Sequence, residues 1–523
     1  MNTQTIDHSV PTGGVLPVST RGRRALAGAA VIIIPAFAGV LTALLMPYGP
    51  ATGVQALSTL AACFGVGLLA GWALSSAWAI LPAAILYMVS VELTRLGTPG
   101  ATTGLIRLDS AYGILALLFG RGFHGLVSLA PMAVGVWLGS KIAKERTPHG
   151  TVPPQGRVRS RLSWLGLGLS LIALILLAVV MALPAATPPI LGVDGRPLPG
   201  SITELVKVPI GGQEQALMIR GHSIDNPILL YLSGGPGQSS LPYPRVILSD
   251  LEQDFVVVGW DQRGAGKSYA ALDPVRELTL DRAISDTIEV ADYLRTRFHE
   301  EKVYLLGESW GTTLAVLAAQ RQPDRFYAVI SSGQMVSQRE TDRRLYQDVL
   351  SLAAARGDAN LEAQMRAYGE PPYTDVPYAY AFVMGFYEDL YKPYTPPAAF
   401  IERGERAGIG PFGVLGVEYD FVEKVNVVRG LLDMFTVMYP QLQAIDFRVD
   451  VQKLDVPLYL LDGRAELASR RDLALEWYGE LEAPHKRIFS FENAAHAVAF
   501  EQFEALHQIL TEIVLPETYG RGR

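Results

Sequence analysis

The chain has 523 residues, which is too long for one hydrophobic core and suggests two or more structural units. Its charge is unevenly divided: the first 190 residues carry 12 Lys and Arg against 4 Asp and Glu, whereas the remainder carries 32 against 47. The single cysteine, Cys63, excludes an intramolecular disulfide. A single soluble, disulfide-stabilised domain is therefore excluded, and the two parts belong to different surroundings.

Five apolar stretches in the first part have about the length of transmembrane helices. They contain almost no charged side chains and cover residues 25–46, 54–74, 77–91, 123–140 and 162–183. We therefore predict an α-helical membrane domain at 25–183, embedded in a lipid bilayer and preceded by a tail at 1–24. Residues 111–120 are apolar but too short to span alone, and the polar sequence 121–124 interrupts them. We interpret them as an interfacial or re-entrant lead into the fourth span; a sixth span is the alternative.

The basic residues predict the orientation in the membrane. The N-terminal tail and the loop between the fourth and fifth spans are therefore expected in the cytoplasm. The basic residues of these two segments are Arg21, Arg23, Arg24, Lys141, Lys144, Arg146, Arg157, Arg159 and Arg161. Five spans then make this a multi-pass cell membrane protein whose C-terminal part is extracytoplasmic, whereas six would return that part to the cytoplasm. Arg121 and His124 lie near a span interior; we favour a headgroup boundary over a transport or relay site.

After a Pro- and Gly-rich linker at 184–200, residues 201–523 alternate between strand and helix patterns. Such alternation is typical of a mostly parallel sheet covered on both faces. Between about 337 and 449 the alternation gives way to a helical, tyrosine-rich segment, which we predict to be an inserted cap. The predicted strands are 202–209, 215–219, 227–232, 255–260, 303–306, 327–331, 457–461 and 486–491, and the predicted helices are 280–298, 312–320 and about 498–515.

The sequence Gly307-Glu308-Ser309-Trp310-Gly311 lies between a predicted strand and a predicted helix. This context is that of a nucleophile elbow in an α/β-hydrolase fold. A serine hydroxyl is a weak nucleophile, so the fold must expose it on a sharp turn, and the flanking glycines let the backbone crowd there. The motif predicts a serine hydrolase with Ser309 as the nucleophile.

The other catalytic groups are expected in the order Ser, acid, His. His496 follows the last predicted strand and is the expected base. Two carboxylates compete for the acid that orients it, because Asp462 ends the preceding strand while Glu466 lies further along the turn, where the loop can reach the histidine. We favour Glu466, and Asp462 stays open as the alternative.

The oxyanion formed in acyl transfer needs preorganised backbone donors. One is expected from the amide of Trp310, directly after the nucleophile. The other is expected from the glycine turn after the third strand, where Gly235 is our first choice and Gly234 the second. This chemistry implies no metal and no organic cofactor.

Three motifs in this order resemble the prolyl iminopeptidase family of α/β-hydrolases: Gly234-Gly235-Pro236-Gly237, then Trp260 to Ser268, then the elbow. The resemblance covers about 201–515 and nothing of the membrane part. It implies a serine peptidase that releases N-terminal residues. It also puts Glu466 at the acid position, since Gly463-Arg464-Ala465-Glu466 matches the family's Gly-Arg-x-Asp. The family's first motif usually opens with His, where this chain has Ser233.

The resemblance further implies structural rather than catalytic roles for Asp261 and Arg263, and we prefer a structural role for Glu308 as well. Family aminopeptidases hold the substrate's free amine with carboxylates, some of them on the cap. Glu418 and Glu423 are candidates for this task, but no motif distinguishes them from other cap carboxylates.

The expected function is that of a membrane-anchored aminopeptidase acting on short peptides outside the cytoplasm through Ser309, His496 and Glu466. An esterase or lipase is the first alternative, because the same triad cleaves esters and the apolar cap would shelter an acyl chain. A non-catalytic membrane sensor or transporter is the second. Epoxide hydrolases and dehalogenases are disfavoured because they use an aspartate nucleophile, and no nucleic-acid partner is expected.

Overall fold

The computed structural model describes residues 20–98, 102–104, 106–145, 154–373 and 377–519. The chain divides into two compact units. One comprises Met1–Pro47, Ser58–Gly97 and Gly125–Leu177, and the other comprises Tyr48–Leu57, Thr98–His124 and Ala178–Arg523. Most of the tail predicted at 1–24, and residues 146–153 of the basic loop, lie outside the described residues.

The helices of the first part follow the predicted apolar stretches. They are α1 (Thr20–Leu45), α2 (Gly53–Leu74), α3 (Ile80–Thr94), α4 (Ala111–Leu117), α5 (Phe123–Glu145) and α6 (Pro154–Ala182). Four helical spans among the described residues are long and apolar enough to cross a membrane, and a fifth apolar helix is shorter: Gly53–Leu74, Ala77–Gly97, Ala111–Glu145, Ser160–Ala182 and Val31–Leu45. Their passage through a membrane stays a prediction.

The interruption predicted at 121–124 is wrong. The chain is helical from Ala111 to Glu145, because one π-helical turn, Leu118–Gly122, joins α4 to α5. A π-turn accommodates an extra residue without breaking a helix. The guanidinium of Arg121 donates to the backbone oxygen of Gly104 at 2.7 and 3.1 Å. The polar side chain is therefore bonded to a neighbouring segment and does not end the helix.

The first unit has a small core between α1 and α3. Tyr87 and Val91 are fully buried and cluster with Val31, and the hydroxyl of Tyr87 donates to Thr42 at 3.3 Å. Cys63 of α2 is buried in the same cluster.

Large apolar side chains in this part of the chain are exposed. Trp78 is 76% exposed and Leu44 67%. A contiguous apolar surface of this kind is typical of a site that contacts another protein, a ligand or a membrane.

The second unit is built on an eight-stranded sheet, and all eight predicted strands are confirmed. Apolar side chains on both faces explain why the central strands are buried between helices. The order is β1-β2-β4-β3-β5-β6-β7-β8; the pairs β1–β2 and β2–β4 are antiparallel, and the remaining pairs are parallel. The strands are β1 (Ile202–Ile210), β2 (Gln213–Gly221), β3 (Ile228–Leu232), β4 (Val256–Asp261), β5 (Val303–Glu308), β6 (Phe326–Ser332), β7 (Leu458–Gly463) and β8 (Lys486–Phe491).

Helices cover both faces of this sheet, and the segment predicted as a cap is helical. Those before the cap are α7 (Pro242–Val246), α8 (Leu280–Phe298) and α9 (Trp310–Arg321). The cap contains α10 (Gln338–Arg356), α11 (Ala359–Tyr368), α12 (Tyr378–Met384), α13 (Tyr387–Tyr391), α14 (Ala398–Ala407), α15 (Phe421–Leu442) and α16 (Phe447–Asp450).

After the cap the chain completes the sheet and ends in α17 (Ala468–Glu480), α18 (Val498–Glu501), α19 (Phe503–Ile509) and α20 (Leu515–Thr518). The single final helix predicted at about 498–515 is instead divided at Gln502, whose φ of −121° and ψ of 41° are not helical. Strand register positions the site, because Leu232 at the end of β3 pairs with Gly307 of β5. The turn after β3 therefore lies beside the elbow.

Candidate active site

Ser309 lies on a strained turn between β5 and α9. Its φ of 53° and ψ of −120° belong to a region that L-residues rarely adopt, and such strain is typical of functional sites. A Cβ at Gly307 would lie 2.7 Å from the oxygen of Gly311, and one at Gly311 would overlap the oxygen of Leu232. Both glycines of the motif are thus sterically required.

The structure places Glu466, and not Asp462, against the predicted base. The Nδ1 atom of His496 forms a short contact with Oε2 of Glu466. Asp462 is occupied elsewhere, since its carboxylate accepts from Arg471 at 2.7 and 2.9 Å and from Ser490 at 2.8 Å. An orienting acid needs direct access to the imidazole, and only Glu466 of the two has it.

Glu466 is held ionised in a buried position. Burial alone would raise the pKa of Glu466, but the charges of His496 and Arg470 outweigh it and lower this pKa to about 2. The carboxylate is therefore negative at neutral pH and suited to stabilising an imidazolium.

Gly333, which follows β6, packs directly against His496. Its φ is 61°, and a Cβ there would lie 2.9 Å from Cε1 of His496 and 2.6 Å from its backbone oxygen. The preceding residue, Ser332, accepts a hydrogen bond from the amide of Ser309 at 2.9 Å. The end of β6 thus touches both the elbow and the histidine. Sequence reasoning missed Gly333, although a glycine directly after a predicted strand was a usable signal.

A small cavity of about 40 Å³ opens at Ser309. Gly235 and Trp310 line it together with the serine, so the three residues predicted for attack and oxyanion binding meet at one place. The other walls are mostly apolar, with one cation: Thr313, Met335, Val336, Gln338, Tyr380, Phe435, Leu442, Ile445 and Arg470.

Gln262 connects the two turns that would form the oxyanion site. Its side-chain oxygen accepts from the indole of Trp310 at 2.9 Å, and its amide donates to the backbone oxygen of Ser233 at 3.1 Å. Gly235 has a φ of 118°, and a Cβ there would lie 2.6 Å from the amide nitrogen of Gly237. This turn therefore depends on glycine and is held in register with the elbow.

The comparisons with known proteins agree with this geometry. A model of the alpha/beta hydrolase fold matches residues 227–373. The probable aminopeptidase YbaC of Bacillus subtilis (strain 168) is 32% identical over 304 residues, which is 58% of this chain and 93% of that protein. The chain belongs to the α/β-hydrolase family. The enzyme is a serine hydrolase with aminopeptidase-like and proline iminopeptidase-like relatives.

Shorter sequence matches are to proline iminopeptidases. A probable proline iminopeptidase of Leptolyngbya boryana is 32% identical over 120 residues, which is 23% of the hydrolase and 35% of the relative. Among solved structures, a proline iminopeptidase-related protein of Thermus thermophilus is 22% identical, with a TM-score of 0.42, and the match covers 61% of the hydrolase and 98% of that chain.

Asp261, the last residue of β4, and Arg263, which follows it, both make contacts inside the hydrolase. Asp261 is fully buried and accepts from the amide of Lys267 at 2.8 Å and from the hydroxyl of Tyr419 at 3.0 Å. Arg263 donates to the buried Asp286 at 2.8 and 3.2 Å. Neither residue lines the cavity at Ser309. These contacts fit the structural roles expected from the sequence.

The carboxylates weighed for amine recognition in the hydrolase are engaged elsewhere. Glu308 is buried, which raises its pKa, and it accepts from Tyr231 at 3.3 Å. Glu418 pairs with Arg245. Glu423 pairs with Lys267 and closes the capping box that begins α15. None of the three lines the cavity.

Asp342 of α10 is a buried carboxylate that sequence reasoning missed. It accepts from Gln338 at 2.7 Å, Gln443 at 3.0 Å and Tyr439 at 2.5 Å. Burial raises its pKa to about 6. Because Gln338 lines the cavity, this carboxylate lies one hydrogen bond behind the cavity wall. The polar, mixed-charge sequence of α10 gave no signal that separates Asp342 from its neighbours.

The described residues contain no group of three or more His, Cys, Asp or Glu side chains placed to hold a metal ion.

Proposed function

We propose that this enzyme is a membrane-anchored aminopeptidase of prolyl iminopeptidase type that acts on short peptides outside the cytoplasm. The single observation that carries the proposed chemistry is the contact between His496 Nδ1 and Glu466 Oε2, behind an elbow that holds Ser309 at the cavity. The aminopeptidase part draws on the relatives, among which YbaC is named a probable aminopeptidase.

In the proposed reaction, the Oγ atom of Ser309 attacks the carbonyl carbon of the substrate's first residue. His496 takes the hydroxyl proton and passes it to the leaving amine, while Glu466 orients the ring and balances its charge. The amides of Gly235 and Trp310 bind the developing oxyanion. Water then attacks the acyl-enzyme, with His496 acting again as the base, and releases the N-terminal residue and Ser309.

Recognition of a free amine would require a nearby negative charge. The residues that line the cavity include the cation Arg470 and no carboxylate. Asp342 is the cap carboxylate that lies directly behind Gln338, so we assign the amine-binding charge to Asp342. This assignment requires that Gln338 turn aside when the amine binds.

An esterase is the second candidate, because the walls contributed by Phe435, Leu442 and Ile445 are apolar and suit an acyl chain. Turnover of a proline arylamide and of a short acyl ester by the same preparation separates the two. Dominant ester turnover with no arylamide cleavage would replace the peptidase assignment.

Labelling with a fluorophosphonate tests the serine chemistry. We expect the wild type to be labelled, Ser309→Ala not to be labelled, and Ser285→Ala, on the exposed side of α8, to behave as the wild type. A folded wild type that resists the probe would favour the non-catalytic sensor or transporter.

The membrane part of the proposal rests on the apolar helices, on their exposed side chains and on the placement of basic residues. Five spans with a cytoplasmic N-terminus put the hydrolase domain outside. Reporter fusions made after Leu183 test this topology, and a reporter active only in the cytoplasm would contradict it.

A further inference from the structure

The two oxygens of Glu466 have separate partners. Oε2 faces His496, whereas Oε1 accepts three hydrogen bonds, from the Tyr391 hydroxyl at 2.7 Å, from the amide of Leu467 at 2.8 Å and from Arg470 at 3.4 Å. Leu467 follows Glu466 directly in the chain, and Arg470 lies four residues after it. Tyr391 is not a neighbour in the chain, because it ends α13 in the cap, 75 residues earlier.

Arg470 extends this contact through the cap. One of its terminal nitrogens donates to the Tyr391 hydroxyl at 3.0 Å, and the other donates to the Tyr387 hydroxyl at 2.7 Å. The hydroxyls of Tyr387 and Tyr380 are 3.1 Å apart. Since Arg470 and Tyr380 both line the cavity, a continuous set of polar contacts joins the cavity wall to the acid.

These groups are shielded from water. The side chains of Glu466 and Arg470 are each 6% exposed. A carboxylate in such surroundings depends on protein donors to fix its rotation, because bulk water cannot supply replacements. Each donor lost from Oε1 therefore loosens the alignment of Oε2 with the imidazole.

We infer that Tyr391 is a positioning residue, through which the cap orients the acid of the proposed Ser309, His496 and Glu466 triad. The inference rests on the proposed function, since it requires that Glu466 serve as the acid. Its consequence is that the triad is fully aligned only while α13 is seated on the loop after β7. A cap displaced to admit substrate leaves Glu466 with only its two local donors, and closure restores the third.

Tyr391→Phe tests this inference in the full-length chain in detergent, with Tyr368→Phe as the matched control. Tyr368 is a half-buried cap tyrosine of α11 whose ring packs on Phe382. The measurements are the inactivation rate with diisopropyl fluorophosphate, kcat and KM for a proline arylamide and a short acyl ester, and the unfolding midpoint.

We expect Tyr391→Phe to slow inactivation, and to lower kcat for whichever substrates are turned over, by a common factor of about ten, because a hydrogen bond to a charged group is lost. KM and the unfolding midpoint should stay near those of Tyr368→Phe. If Tyr391→Phe is inactivated at the wild-type rate and only its KM is raised, the inference is overturned, because Tyr391 then only shapes the cap. Behaviour identical to the control would overturn it as well. If diisopropyl fluorophosphate does not inactivate the wild type, the proposed serine chemistry is wrong. This result is distinct from a failure of the inference about Tyr391, in which the wild type is inactivated but Tyr391→Phe behaves like the control.

Discussion

The amide and the hydroxyl of Thr103 both donate to the carboxylate of Asp433, at 2.9 and 2.8 Å, although 330 residues separate them in the chain. The hydroxyl of Tyr269 is a third donor, at 2.8 Å. Asp433 is fully buried on α15, the cap helix that also carries Phe435 of the cavity wall. A short segment between two predicted spans is therefore bonded to the helix that forms part of the substrate site.

Asp433→Ala should destabilise the hydrolase unit by about 3 kcal/mol, because it leaves three buried donors without their acceptor. We expect the unfolding midpoint in detergent to fall by about 5 °C or more. Asp455→Ala removes a carboxylate that is 61% exposed and should change the midpoint little. Equal midpoints for the two variants would argue against a stabilising role for the contact with Thr103.

Gly333→Ala should reduce activity by about a hundredfold, because the new methyl group would displace His496 and small misplacements of catalytic groups are costly. Gly357→Ala is a matched control. Its φ of 64° is similar, but no atom lies within 4 Å of the added Cβ. Both variants should lose about 1 kcal/mol of stability from backbone strain. If their fluorophosphonate labelling rates fall equally, backbone strain and not the histidine contact explains the loss.

Asp342→Asn should raise KM for a proline arylamide about tenfold and leave KM for an acyl ester unchanged, because only the former carries an ammonium group. The wild type should show a related pH dependence. Burial raises the pKa of Asp342 to about 6, so the carboxylate loses its charge as the pH falls through this value. KM for the arylamide should then rise below about pH 6 in the wild type and vary less in the variant. If KM for the arylamide changes with pH in the same way in the wild type and in Asp342→Asn, then Asp342 does not recognise the amine.

Arg263→Met should lower stability by about 3 kcal/mol, because it breaks a buried ion pair with Asp286. The folded fraction should still react with a fluorophosphonate at the wild-type rate if Arg263 is structural. Arg406→Met, at a side chain that is 80% exposed, provides the control for stability. Slow labelling of a well-folded Arg263→Met protein would instead give the residue a part in the chemistry.

The sheet and the elbow were predictable because their signals are local. Each buried strand is a short apolar run. Ser309 lies in a five-residue motif whose two glycines are required because a side chain at either position would clash with the backbone. The choice of Glu466 over Asp462 followed from loop reach, and the structure has Glu466 at the histidine.

Other features depend on tertiary contacts that no local pattern encodes. Asp342 and Tyr391 resemble other polar cap residues until folding brings Asp342 behind Gln338 of the cavity wall and Tyr391 to the acid. The helix from Ala111 to Glu145 stays continuous because a π-turn accommodates the polar residues that we predicted to interrupt it. The helix break at Gln502 was likewise not predicted, because no Pro or Gly lies at this position in the sequence.

Cys63 has a practical consequence. It is the only thiol in the chain, and it is buried in the first unit. A second cysteine placed at an exposed position of the hydrolase unit, such as Glu405, would therefore react with a maleimide reagent almost free of background. In intact cells, modification by a charged, impermeant maleimide would test whether the catalytic domain lies outside the cytoplasm, without altering any residue of the active site.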